Sequence, residues 1–163
     1  MADDLRPATP ADHDALFAAY GQIVDAGDGF PHAPPLLREQ FDEYWIAHTA
    51  AVWIVLAEGA LIGAYYIRPN FVGRAAHIAN AGYFVLGPHR GRGWGRKLVE
   101  HSLREAWRLG FDAMQFNLVF ASNPARRMYR NLGFVEVGRI PAAVEGEDAV
   151  IYWRRLEEVE EDI

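Results

Sequence analysis

Apolar residues recur along the chain with two periods, and the switches between them divide it into elements. After a short strand near Leu5, Thr9-Pro10-Ala11-Asp12 supplies an N-cap residue, a proline in the first turn and an acid at the third position, which together predict a helix start. Leu16, Phe17, Tyr20, Ile23 and Val24 then fall on one helical face until Gly27-Asp28-Gly29 ends it. A proline-rich loop from Phe30 to Pro35 leads to a second helix marked by Phe41, Tyr44, Trp45 and His48. The period then changes. Val52 to Ala57, the Glu58-Gly59 turn and Leu61 to Arg68 predict a hairpin of β-branched and aromatic strands. His77 to Leu86 predicts another strand, interrupted at Ala81-Gly82, where small residues signal a bulge or a close backbone approach. Between Trp94 and Leu109 the apolar stripe Leu98, Val99, Leu103, Ala106 and Trp107 predicts a long helix closed by Gly110. Ala113 to Phe120 reads as a strand and Pro124 to Leu132 as a short helix stopped by Gly133. Phe134 to Ile140 and Ala149 to Arg154 read as two final strands.

This order predicts an α/β fold with helices on both faces of the sheet, its middle β-α-β segment making a right-handed crossover between parallel strands. At 163 residues the chain is expected to form one domain, 1–163, with residues 157–163 an acidic, frayed tail. Hydrophobic residues at 51% and charged residues at 23% exclude disorder. With no cysteine there is no disulfide, zinc ribbon, iron-sulfur cluster or thiol nucleophile, and a reducing cytoplasm suits the composition. The acidic Met1-Ala2-Asp3-Asp4 start does not resemble a secretory signal, and no stretch is long and apolar enough to span a bilayer. No metal, nucleic-acid or membrane partner is expected, and a homodimer is left open.

Charge changes the picture more by distribution than by sum. The net charge is −6, yet Arg90 to Arg130 holds nine basic residues and three acids, +6, so the remainder carries −12. A basic island in an acidic chain points to a polyanionic ligand, more a phosphorylated small molecule than a nucleic acid. Within it lies Arg90-Gly91-Arg92-Gly93-Trp94-Gly95-Arg96, between a predicted strand and a predicted helix. Glycines let backbone approach a ligand, and unpaired N–H groups at a helix start attract phosphate. A dinucleotide fingerprint fails because position 96 is Arg, and a Walker loop fails because Leu98 follows Lys97.

What fits is the Gln/Arg-x-x-Gly-x-Gly/Ala signature, carried by Arg90, Gly93 and Gly95, and a second segment agrees: Ala125-Arg126-Arg127-Met128-Tyr129-Arg130-Asn131-Leu132-Gly133-Phe134. The chain resembles the GNAT acyltransferase superfamily. The resemblance implies a mixed, mostly antiparallel sheet of six to seven strands with splayed central strands and four flanking helices. It also implies acetyl-CoA as cosubstrate, its pyrophosphate on the amides of Gly91, Arg92, Gly93, Trp94, Gly95 and Arg96, its pantetheine along Phe84, Val85 and Leu86, and a further contact from Asn123. Tyr129 matches the family tyrosine that protonates the leaving thiolate. A primary amine of a small molecule or peptide would attack the thioester directly, since no cysteine is present. His77 is the best candidate base, with a water relay as the default. The acceptor is expected near Phe30, His32, Asn80 and Asn117, in a pocket made by the loops Asp25 to Pro35 and Ala142 to Asp148. A non-catalytic CoA-binding or sensor module is the alternative, and a phosphate-binding regulatory domain unrelated to CoA is a third reading.

Overall fold

The structure is a computed structural model that describes residues 3–158. Hydrogen bonds join seven strands in the order β1-β2-β3-β4-β5-β7-β6: β1 Asp4–Pro7, β2 Ala51–Ala57, β3 Ala60–Pro69, β4 Ile78–Val85, β5 Ala113–Phe120, β6 Val135–Val144 and β7 Glu147–Arg155. Four helices accompany them, α1 His13–Ala26, α2 Arg38–Phe41, α3 Trp94–Arg108 and α4 Arg126–Asn131. The chain divides into two compact units. The first comprises residues up to Arg68 with Gly82–Val99, the second Pro69–Ala81 with the described residues from Glu100 onward.

In the first unit, β1, β2 and β3 form an antiparallel ribbon running Asp4↔Leu56 to Pro7↔Trp53 and Ala51↔Ile67 to Ala57↔Ala60. The start of α1 is fixed by Asp12, whose carboxylate accepts from Thr9 N at 2.7 Å and from both terminal nitrogens of Arg6 at 2.8 and 2.9 Å. These bonds hold the Asp12 carboxyl far below the usual carboxylate range. Leu16, Tyr20, Ile23 and Val24, the predicted face of α1, are buried against Phe41, Trp45, Ile54, Ala64, Tyr66 and Phe84. The predicted second helix takes another form. Only Arg38–Phe41 is α-helical, and Asp42–Ala47 winds as a π-helix, which widens the turn and re-aims Tyr44 and Trp45.

In the second unit, β4 begins a parallel ladder with β5 that pairs Ile78↔Ala113 and Ala79↔Met114; it ends just before the interruption read at Ala81-Gly82. Between Phe116↔Tyr152 and Val119↔Val150, β5 inserts Asn117 and Leu118 opposite Ile151 alone, a β-bulge. The last hairpin is longer and tighter than its sequence suggests. β6 runs to Val144 and β7 begins at Glu147, so the expected loop from Ala142 to Asp148 shrinks to a turn at Glu145-Gly146, with φ of 48° and 81°. Of the acidic tail, only Glu157 and Glu158 lie within the described residues.

Candidate functional site

The glycine loop of the first unit is built from main chain. Gly91 and Gly93 hold φ at 80° and 85°, the left-handed region that side-chain-bearing residues resist. With the chain so turned, the N–H groups of Gly91 to Gly95 meet no backbone carbonyl among the described residues, whereas Lys97 N–H donates to Gly93 O at 3.2 Å. Consecutive unspent donors therefore lie at the positive end of α3, an arrangement suited to phosphate oxygens. The flanking cations do different jobs. Arg90 acts as a strut, its Nε donating to Val85 O at 2.9 Å and its Nη2 to Asp28 Oδ2 at 3.0 Å. Trp94 Nε1 donates to Asp3 Oδ2 at 2.7 Å, and Lys97 Nζ lies 4.8 Å from the indole centroid. Arg92 is exposed and Arg96 sits in the first turn of α3. Along the predicted pantetheine strand, Leu86 N–H donates to Ile62 O at 2.8 Å, and the Phe84 ring packs 5.5 Å from Trp45.

The same unit holds an aromatic cage of side chains. Phe30 lies edge-on to Tyr20 at 5.0 Å, and His32 edge-on to Tyr44 at 4.8 Å. Tyr20 Oη and His32 Nδ1 are 2.8 Å apart, and Tyr66 Oη donates to Tyr44 Oη at 3.0 Å. Burial raises the Tyr20 and Tyr66 phenols, and burial and then the charge of Arg68 push His32 below its ordinary value, so these rings are uncharged at neutral pH. Gly82 makes room for the cage: a Cβ there would stand 2.6 Å from Tyr66 Cε1 and 2.7 Å from its Oη. The expected Phe30 and His32 are thus brought together, and beside them lie Tyr20, Tyr44, Tyr66 and Arg68, which the sequence pattern does not single out as site residues. Alternation along β3 places Tyr66 and Arg68 on one face, the signal that could have found them. Three acids of the two expected pocket loops have partners: Asp28 accepts from Arg90 at 3.0 Å, Glu147 from Ser122 N at 2.5 Å, and Asp148 from Ala142 N at 3.0 Å.

The second unit carries the remaining candidates. Tyr129 is 8% exposed, with its ring 4.8 Å from Phe116, 5.9 Å from Phe134 and 5.8 Å from Tyr152. Burial, and secondarily Tyr152, raises its phenol, and no hydrogen bond to its Oη occurs among the described residues. Arg126 is occupied by Tyr152 Oη at 2.9 Å and Ala121 O at 2.8 Å. His77 Nδ1 lies 2.7 Å from Asp112 Oδ1, both side chains about half exposed, so Asp112 orients an imidazole whose Nε2 faces outward from the pair. Asn123 accepts at Oδ1 from Ala125 N at 2.8 Å and so shapes the approach to α4. Asn117, turned by the bulge, exchanges amide bonds with Asn70 at 3.1 and 2.5 Å and accepts from Gln115 at 3.0 Å. Asn80 is half-buried. No cluster of three or more His, Asp or Glu suited to a metal occurs among the described residues, and none of their helices is long and apolar enough to cross a membrane.

Comparison with known proteins places this architecture. The chain matches the Acetyltransferase (GNAT) family over residues 16–134. The N-acetyltransferase aca1 of Schizosaccharomyces pombe is 45% identical over 85 residues, 52% of this chain; the chain spans 41% of that curated relative's length. YwnH of Bacillus subtilis, a candidate phosphinothricin acetyltransferase, is 25% identical over 145 residues, 86% of this chain and 89% of its own. Among solved structures, a GCN5-related N-acetyltransferase from Kribbella flavida superposes with a TM-score of 0.86 at 32% identity, covering 95% of this chain and 98% of its own. Salmonella typhimurium yncA, solved with its cofactor acetyl-CoA, superposes at 0.83 with 20% identity over 100% and 99%.

Proposed function

The chain belongs to the GNAT acetyltransferase family, and from that premise we propose that it transfers an acetyl group from acetyl-CoA directly to a primary amine, borne by a small molecule or peptide. The observation that carries this reading is the run of unspent amides from Gly91 to Gly95 at the start of α3, on a loop that Arg90 braces. These donors suit a pyrophosphate, and the family supplies acetyl-CoA as the molecule that bears one. The aromatic cage, with Phe30 and His32 in its wall, is the proposed seat of the acceptor.

The amine nitrogen attacks the thioester carbonyl carbon, the carbon–sulfur bond breaks, and the sulfur leaves as thiolate. Tyr129 takes the part that the resemblance implies: its Oη donates to the departing sulfur. Burial sharpens that role, because a raised phenol keeps its proton throughout the neutral range. Such a group is a weaker acid than a free phenol, so it stabilises developing thiolate by hydrogen bonding and recovers any proton it gives from the amine or water. The amine's own proton leaves through water, with the His77–Asp112 pair the candidate relay. The cytoplasm is the proposed location, as the cysteine-free composition suggests.

Thiol release from acetyl-CoA across a panel of amines, with mass detection of the acetylated product, tests the reading. Product formation supports transfer; acetyl-CoA binding with no acceptor acetylated overturns it in favour of a sensor module. With a working acceptor, Tyr129→Phe is expected to lower kcat about 100-fold while leaving the Kd for CoA unchanged. An unchanged kcat returns Tyr129 to a purely packing role. A protein-bound acetyl group trapped by rapid quenching contradicts direct transfer.

A further inference from the structure

The cage contains one charge that nothing in it balances. The Arg68 guanidinium lies 4.3 Å from the Tyr44 ring centroid and 4.2 Å from that of Tyr66. One of its terminal nitrogens, Nη2, donates to the Tyr44 carbonyl oxygen, and its Nε is buried without a partner among the described residues. Arginines Arg6, Arg38, Arg90, Arg126, Arg139 and Arg154 each meet a carboxylate. Arg68 meets none among the described residues. Its field is felt instead by its neighbours, since it lowers the proton affinity of Tyr20, Tyr66 and His32. The surrounding rings are neutral and offer π faces, which hold a guanidinium in place but do not replace an anion. A planar fork with donors to spare, preset by two rings and one carbonyl, is the geometry that receives a carboxylate through paired N–H bonds. Among the described residues the walls of the cage provide no acid for an ammonium, and Asp28 on the adjoining loop is already paired with Arg90.

We infer that Arg68 selects an acceptor that carries a carboxylate beside its amine, an amino acid rather than a plain alkylamine, with the carboxylate seated on the guanidinium between Tyr44 and Tyr66. This deepens the proposed function and rests on it. Neutral rings surround the acceptor's backbone, Arg68 anchors its anionic end, and the amine is left for the thioester. The acceptor is thus chosen by its acid, not by its ammonium.

Matched acceptors decide the point: each free amino acid against its own carboxamide, assayed for acetyl-CoA-dependent thiol release with the wild type, Arg68→Gln and Arg68→Lys. Melting curves establish that each variant is folded. In the wild type the free acid is expected to exceed its amide in kcat/KM by about 10- to 100-fold, the worth of a charge-assisted hydrogen bond. Arg68→Gln should collapse that ratio toward one, through the KM of the acid, and Arg68→Lys should restore part of it because charge survives while the fork is lost. A wild type indifferent to the carboxylate overturns the inference. So does an Arg68→Gln variant that loses acid and amide activity in equal proportion, the mark of a residue that only braces the Tyr44 carbonyl. If no acceptor is acetylated, transfer itself fails, and the inference is then judged by calorimetry of the same acid and amide pairs on the CoA-loaded protein. Acid-selective binding that Arg68→Gln abolishes upholds it, and equal binding of acid and amide overturns it.

Discussion

The glycine loop and the aromatic cage belong to the same compact unit and would offer their proposed ligands opposite halves of the polypeptide. The loop offers main-chain donors: the Gly91 and Gly93 conformations expose consecutive amides, and the nearby Arg90 side chain serves as a brace. The cage offers side chains, with backbone entering only as the Tyr44 carbonyl that steadies Arg68. A ligand common to a whole family can be held by atoms that every residue possesses. A ligand particular to one member needs side chains chosen for it, and in the proposed acceptor seat these are phenols, an imidazole and a guanidinium that meets no carboxylate among the described residues.

The contrast breaks most visibly at the loop. Gly93→Val forces a β-branched residue to φ near 85°, where beyond the two chain neighbours no atom of the described residues lies within 4 Å of a new Cβ, so the cost is conformational. Acetyl-CoA affinity measured by calorimetry is expected to fall about 100-fold or more, since several charge-assisted bonds are lost together, while the far-ultraviolet spectrum is kept. Gly82→Ala sharpens the other side. There the new Cβ falls 2.6 Å from Tyr66 Cε1, so the phenol must move and its bond to Tyr44 is broken. Overpacking of this kind costs about 1–3 kcal/mol. The denaturation midpoint should drop and the acceptor KM rise, with the Kd for CoA unchanged.

The difference also governs what could be read from sequence. Gly91 and Gly93 announce themselves because few other residues adopt their backbone angles, and the strand before them and the helix after them follow from apolar period alone. Tyr129 was picked out by the family resemblance that its segment carries. Arg68 was not. Its partners come from β3 and from the π turn at Asp42–Ala47, and an apolar pattern shared by α and π windings does not report which face Tyr44 takes. The partners of Asp28, Glu147 and Asp148 were equally hidden, because bonds formed across folded elements leave no mark on composition. Only the tip of the final hairpin, Ala142 to Asp148, read as a longer loop than it is, because the edge strand β6 is largely exposed and its apolar signal correspondingly weak.

The smallest effect separates cage from loop by pH. His32 binds its proton less readily folded than unfolded, so as pH falls through about 6.5 the unfolded chain takes up a proton first and stability declines. Above that value the contribution is fully present. Melting temperatures of the wild type and His32→Gln should diverge above pH ~6.5 and converge below it, with CoA affinity of the two proteins equal throughout. Parallel curves contradict a neutral His32 in the cage wall.

The central claim is that main-chain N–H groups at the start of α3 receive the cosubstrate's phosphates, and amide resonances report it atom by atom. Titration of the 15N-labelled protein with CoA is expected to move the Gly91 to Arg96 amides downfield as they enter hydrogen bonds with phosphate oxygens, and to do so for 3′-dephospho-CoA as well, because the pyrophosphate is the group bound. Saturable CoA binding that leaves those resonances in place contradicts the claim.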